Sequence, residues 1–194
     1  MRSAAGLLLL ANIADAEKIY VLGGSDPRVQ PLGKVAAFTP PAGGNNGSWA
    51  QVPAMGSVRA GGRAAALDGS LYHVGGSDEA DYPYLNTTLR WSPTGAGKWE
   101  KVADLPCDPQ HPVFCPDTLG DDPDGGGLAD HAVVSLGGFL YAIGGTNGTT
   151  SLFTTAKYDP KADAWKFMAS MSIGRCCKSL SHASHFALSA LLFP

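Results

Sequence analysis

The stretch at residues 140–145, Leu140-Tyr141-Ala142-Ile143-Gly144-Gly145, decides the fold, because it is one of three similar stretches in this chain of 194 residues. The other copies are IYVLGG at residues 19–24 and LYHVGG at residues 71–76. Each copy is an apolar run that carries a tyrosine and ends in two glycines. A phrase repeated at such intervals indicates a repeat architecture, so the period predicts the fold and the differences between copies indicate function.

Further landmarks follow each glycine pair in the same order. A strand aromatic comes 13 to 15 residues after the second glycine, a tryptophan follows it, and a Met or Leu lies six residues after the tryptophan. We predict that these rings supply apolar area to bury between neighbouring repeats. In copy order, the landmarks are the glycines Gly23, Gly24, Gly75, Gly76, Gly144 and Gly145, the aromatics Phe38, Trp91 and Tyr158, and the tryptophans Trp49, Trp99 and Trp165.

This pattern resembles the kelch repeat, whose marks are a double glycine, a spaced Tyr and Trp, and a Met-Pro-Arg-like end. The third copy, with Tyr158-Asp159-Pro160 and Trp165, is most similar to it. The resemblance covers roughly residues 17–175 and implies a β-propeller. It says little about function, because kelch propellers include both binding proteins and enzymes.

The residues predict the same fold without the resemblance. Short β-branched and alternating runs lie between Gly, Pro, Asp and Ser turn signals, which is typical of a meander of antiparallel strands. In the third copy we expect strands at residues 131–136, 139–144, 154–158 and 165–168. The predicted class is therefore an all-β, kelch-type propeller of four-stranded antiparallel blades, incomplete at about three blades.

The domain organisation follows from the repeat limits. We expect repeats at residues 17–59, 60–106 and 128–175, an acidic Pro/Gly-rich insertion at 107–127 and a tail of uncertain structure at 176–194. Residues 1–16 have two interpretations: a signal peptide cleaved after Ala14-Asp15-Ala16, or the first strand of the first blade. Closed propellers have four to eight blades, so three predict a fragment, a truncated product or one part of an oligomer that self-associates through uncovered blade faces.

Composition and short motifs bear on which classes of partner and which cell compartment are expected. Only 16% of residues are charged, the net charge is −3 and there is no basic run, so a nucleic-acid partner is not expected. The apolar run near the start is too short to span a membrane. The compartment stays open between cytoplasm and secretion: sequons at Asn46, Asn86 and Asn147 favour a secreted glycoprotein, where Cys107 and Cys115 could form a disulfide.

The least repeated segment is the insertion. The second and third glycine pairs are 69 residues apart, against 52 for the first and second, and the excess lies between Pro106 and Leu128. In an up-and-down blade this connection emerges on the same side as the connection between the second and third strands. We call that side the loop face; it is predicted to carry the insertion and loops 25–34, 77–86 and 146–153.

The loop face is predicted to be acidic. Residues 102–156 contain seven aspartates and no Lys or Arg, which favours a cationic partner. The alternative is a solvated loop with no partner. The candidate partner-binding residues are Asp78, Asp108, His111, Asp117, Asp121, Asp122, Asp124 and Asn147.

Metal and catalytic signals are weak. Residues 121–125, DDPDG, lack the EF-hand spacing, and Cys107, His111 and Cys115 have no second pair of ligands at zinc-site spacing, so no cofactor or metal is predicted. His73 and His131 lie in predicted strands, where a single histidine usually has a structural role. We therefore predict a protein-interaction module rather than an enzyme. The alternative implied by the resemblance is a secreted, galactose-oxidase-like enzyme acting on carbohydrate, of the oxidase or sugar-epimerase type.

Overall fold

The computed structural model describes residues 7–13, 16–28, 30–41, 43, 46–78, 84–95, 97–106, 127–147 and 150–176. These residues form twelve β-strands and contain no helix, hence none that could cross a membrane. The strands are β1 (Leu7–Ile13), β2 (Ala16–Leu22), β3 (Val35–Thr39), β4 (Ser48–Val52), β5 (Arg63–Leu67), β6 (Ser70–Val74), β7 (Thr88–Trp91), β8 (Glu100–Val102), β9 (Ala132–Leu136), β10 (Phe139–Ile143), β11 (Thr155–Asp159) and β12 (Ala164–Phe167).

The strands form three four-stranded antiparallel sheets in chain order. We call them blade 1 (β1–β4), blade 2 (β5–β8) and blade 3 (β9–β12). The first strands of successive blades, β1, β5 and β9, contact one another in turn. The predicted all-β, incomplete propeller is confirmed, and the four strands of the third copy lie within one residue of their expected limits.

Strand β1 lies within the segment that had two interpretations. It pairs antiparallel with β2, from Leu7 opposite Leu22 to Ile13 opposite Ala16. This is the pairing expected if the segment is the first strand of blade 1. Cleavage of a leader stays a prediction, and most of the predicted tail, residues 177–194, lies outside the described residues.

Each blade has two faces, because successive side chains point to opposite sides of a strand. We call the face that packs on the next blade the forward face and the opposite one the rear face. Residues of the forward face of blade 1 and the rear face of blade 2 form one buried cluster: Tyr20, Leu22, Val35, Ala37 and Met55 with Ala64, Leu71, Leu89 and Trp91. A second cluster joins blades 2 and 3: Ala65, Leu67, Tyr72, Val74, Val102 and Leu105 with Leu128, Leu140, Ala142, Leu152, Ala156, Tyr158 and Trp165. The core of the protein therefore lies between blades.

The repeated aromatics form one pair on the rear face of each blade. The ring centroids are 5.1 Å apart for Phe38 and Trp49, 5.9 Å for Trp91 and Trp99, and 5.2 Å for Tyr158 and Trp165. Trp165 is buried between blades, as predicted, with 9% of its surface exposed. The prediction is wrong for Trp49, which is 58% exposed, because no described residues form a blade against the rear face of blade 1.

The glycine pairs join each blade to the next through the backbone. The amide of Gly24 donates to the Arg59 carbonyl at 2.9 Å, and the amide of Gly76 donates to the Leu128 carbonyl at 2.8 Å. The glycine before this donor has a left-handed backbone, with φ of +61° at Gly75, and a methyl group there would overlap the Leu128 carbonyl oxygen. The sequence needs glycine at this position for both reasons.

A matched pair of glycines separates these two reasons. Gly69 has φ of +72° but open space around its Cα, so Gly69→Ala should lower the free energy of unfolding by about 1–2 kcal/mol, through the left-handed backbone alone. Gly75→Ala should cost roughly 1–3 kcal/mol more, because the next blade must move. Urea titrations measure both. Equal losses in the two variants would show that the approach of the next blade is not tight.

Candidate interaction surface

A loop follows each of the three glycine pairs, on the predicted loop face. One isolated antiparallel β-bridge joins the two ends of each loop. The bridges pair Ser25 with Pro31, Ser77 with Tyr84, and Thr146 with Ser151. Side chains tighten two of the loops. The Asp26 carboxylate accepts from the amides of Arg28 and Gln30 at 2.8 and 2.9 Å, and the Asn147 side-chain oxygen accepts from the Thr150 amide at 3.0 Å.

The described ends of the insertion meet on the loop of blade 2. The Leu105 amide, just before the insertion, donates to the Asn86 carbonyl at 2.8 Å, and the Leu128 amide, just after it, donates to the Leu85 carbonyl at 3.1 Å. Gly127 lies so close that a methyl group there would overlap the Tyr84 backbone. The insertion therefore leaves and re-enters the fold beside this loop.

The exit of the insertion also contacts the loop of blade 3. Ala129 and Thr146 exchange backbone hydrogen bonds at 3.0 and 2.8 Å. The segment after the insertion consequently runs between two loops, with Leu128 on the blade 2 loop and Ala129 on the blade 3 loop. Backbone hydrogen bonds to these two loops thus hold both described ends of the acidic segment.

Two of the eight predicted partner-binding residues lie on described parts of these loops. Asp78 is exposed directly after the bridged Ser77, and Asn147 is half-buried beside Thr146. The structure brings both next to the described ends of the insertion. The other six, Asp108, His111, Asp117, Asp121, Asp122 and Asp124, lie outside the described residues, as do Cys107 and Cys115.

A buried basic cluster lies beneath the loops. Arg59 is 3% exposed and donates to the Gly75 carbonyl at 3.0 Å and to the Thr87 carbonyl and hydroxyl at 3.2 and 2.6 Å. Burial lowers the pKa of Arg59 to about 10, so the guanidinium stays charged at neutral pH. Its donors are used on backbone and hydroxyl acceptors, which makes it a clamp between blade 1 and blade 2.

Two histidines complete this cluster. His73 and His131 are fully buried, and burial lowers the pKa of His73 to about 3 and that of His131 well below its usual value. Arg63 adds positive charge beside both. Nδ1 of His73 and both ring nitrogens of His131 have no hydrogen-bond partner among the described residues. The histidines are therefore neutral, and the described part of the chain contains no group of three or more His, Cys, Asp or Glu that could hold a metal ion.

The two imidazoles fill equivalent space from different strands. A methyl group on Gly62 would overlap the His73 ring, whereas the third copy has His131 at the position of Gly62 and Ala142 at the position of His73. Blades 2 and 3 thus each have one histidine and one small residue in this pair. This exchange was not predicted from the sequence, although a position-by-position alignment of the second and third copies shows it.

These histidines predict a loss of stability in acid. In the unfolded chain an imidazole takes up a proton below its ordinary pKa of about 6.5, but the folded chain holds His73 neutral down to about 3. The free energy of unfolding should therefore fall as pH decreases from 6.5, with roughly 1.4 kcal/mol per pH unit from each histidine. His73→Val should make the slope shallower by that amount in urea titrations across pH 7 to 5.

Leu71→Val is the matched control, because Leu71 is buried on the same strand and the same face but does not titrate. It should lower stability at every pH and keep the wild-type slope. If His73→Val also kept that slope, the buried imidazole would not contribute to acid sensitivity.

Comparison with known proteins agrees with this geometry. The family model described as the Kelch motif matches residues 59–106 and 127–172, which contain blades 2 and 3. The chain belongs to the kelch-repeat family. It is 34% identical over 125 residues to Kelch-like protein 33 of Homo sapiens, an alignment that covers 61% of this chain and 19% of that protein. This kelch chain thus spans about a fifth of the length of that relative.

A solved structure has the same fold. The structure titled "Structure of YjhT" superposes with a TM-score of 0.62 at 17% identity, covering 85% of this chain and 52% of that one. Kelch repeats and the Kelch-like relative support a protein-interaction module in general terms.

Proposed function

We propose that this kelch chain binds a protein partner through its loop face, with the acidic insertion at residues 107–127 as the recognition element. The observation that carries the proposal is the anchoring of both described ends of the insertion on Leu85 and Asn86. A long segment held at both ends beside other loops presents its side chains from a rigid base. Binding residues are commonly found on loops positioned in this way.

Charge indicates the chemistry of the partner. The insertion contains five aspartates and no Lys or Arg, whereas Asp104 and Asp130 on either side of it pair with Lys101 at 2.9 Å and Arg63 at 3.4 Å. Asp78 adds an exposed carboxylate from the neighbouring loop. A single-sign field of this kind raises the association rate of an oppositely charged segment. We therefore infer that the partner presents a Lys- or Arg-rich segment to this surface.

The test is selection of binding peptides from a random display library on the immobilised full chain at low salt. We expect Lys- and Arg-rich sequences to be enriched. Replacing residues 107–126 by a short Gly-Ser turn should abolish their capture and keep the fold, because closing a loop costs only about 0.6 kcal/mol per doubling of its length. Circular dichroism checks the fold.

Single-charge variants provide the matched control. Asp78→Asn, on the loop face, should weaken capture of a selected peptide by roughly two- to fivefold at low salt and less at high salt. Asp68→Asn removes an equally exposed carboxylate from the turn between β5 and β6 and should leave capture unchanged. Undiminished capture by the chain without its insertion would overturn the proposal, and turnover of a carbohydrate substrate would favour the enzyme alternative.

A further inference from the structure

The two interfaces between blades repeat the same contacts. A tyrosine on the forward face meets an aromatic of the next blade edge-on: Tyr20 and Trp91 at 6.0 Å, then Tyr72 and Tyr158 at 5.7 Å between ring centroids. An indole N–H of the next blade donates back to a carbonyl. Trp99 Nε1 donates to Pro53 at 2.9 Å, and Trp165 Nε1 donates to Ala103 at 3.1 Å.

The rear face of blade 1 carries the side chains that the other rear faces use in this interface. Phe38 stands at the position of Trp91 and Tyr158, and Trp49 at the position of Trp99 and Trp165. Trp165 is 9% exposed in its interface, whereas Trp49 is 58% exposed. The tryptophan of blade 1 is therefore placed to bind a forward face that the described residues of its own chain do not supply.

The forward face of blade 3 is its counterpart. Leu136 stands at the position of Leu67 beside the first turn of the blade, yet Leu136 is 50% exposed and Leu67 is 7% exposed. On the fourth strand, Met168 stands at the position of Val102 and is 41% exposed against 8%. Apolar side chains that the second interface covers are thus open to solvent in blade 3.

The arginine at the end of a blade is also buried in the first interface and exposed at the end of blade 3. Arg59 and Arg175 occupy equivalent positions, because the carbonyl of each accepts from the second glycine of the preceding blade: Gly24 at 2.9 Å and Gly145 at 2.7 Å. Arg59 is buried against the carbonyls of the blade that follows it, but Arg175 is exposed. Blade 3 therefore ends in a clamp that is ready for a following blade.

We propose that two copies of this chain close a six-bladed ring, in which blade 1 of each copy packs on blade 3 of the other. By analogy with the internal interfaces, the Trp49 indole of one copy donates to the Ala169 carbonyl of the other, and Phe38 meets Tyr141 edge-on. Arg175 donates to the carbonyls of Gly23 and Lys34, which correspond to the Gly75 and Thr87 carbonyls that Arg59 binds.

A second copy of this chain is the occupant that fits both faces at once. Closed propellers have four to eight blades, so the three described blades do not close a ring by themselves, whereas six blades can. A head-to-tail contact between identical chains either closes or polymerises. In the superposition described above, 85% of this chain covers 52% of the other chain, so the fold of this chain corresponds to about half of that one.

Sedimentation velocity over a dilution series tests the ring. The wild-type chain should sediment as a dimer of the 20.0 kDa chain, without larger species. Trp49→Asp and Leu136→Asp should each raise the dissociation constant more than about tenfold, since each places a charge in both interfaces. Phe153→Ala removes an equally exposed apolar side chain from the loop face and should leave the dimer intact.

Mixing the two aspartate variants tests the geometry. A heterodimer of Trp49→Asp with Leu136→Asp keeps one interface wholly wild type, so the mixture should form more dimer than either variant alone. If Trp49→Asp does not fold, as judged by circular dichroism, the milder Trp49→Ala, at the same exposed position on the rear face of blade 1, takes its place. A wild-type monomer at all concentrations, open-ended polymers, or no gain on mixing would each overturn the proposal.

Discussion

Burial of each blade against its neighbour is the constraint on which this structure depends. A four-stranded sheet of short strands exposes two apolar faces, and large exposed apolar patches are unfavourable in water. Here the buried clusters lie between sheets rather than within one, so a blade is stable to the extent that both its faces are covered. Repeat proteins in general draw their stability from such contacts between neighbours.

The copies also differ at positions within and beside these interfaces. Leu128 stands at the position of the clamp residue Arg59, and the hydroxyl of Thr154, which corresponds to that of Thr87, is buried without a partner among the described residues. The Tyr158 hydroxyl donates to Asp163 at 2.7 Å, whereas the second copy has Trp91 with Gly97 at the matching positions. The second interface therefore keeps the threonine without the arginine that binds it in the first, whereas within blade 3 the tyrosine hydroxyl has an acceptor in Asp163.

The loop face carries the largest difference in length between the copies, which is the insertion. The strands and glycine pairs set where each loop begins and ends. The buried arginine and histidines beneath the loops serve the scaffold, since their donors are used on the backbone or their rings are held neutral. Recognition chemistry is therefore expected on the loops and not in the cluster below them.

The sequence by itself determined the repeat, the strands, the glycine turns and the place of the insertion, because these depend on local signals such as strand alternation, turn residues and spacing. It also placed Asp78 and Asn147 on loops. Only the tertiary structure decided which equivalent residues are buried: Trp165 but not Trp49, and Arg59 but not Arg175. The physical reason is that a residue on a blade face is buried only when another blade packs on that face. The sequence of one repeat does not show whether such a blade is present.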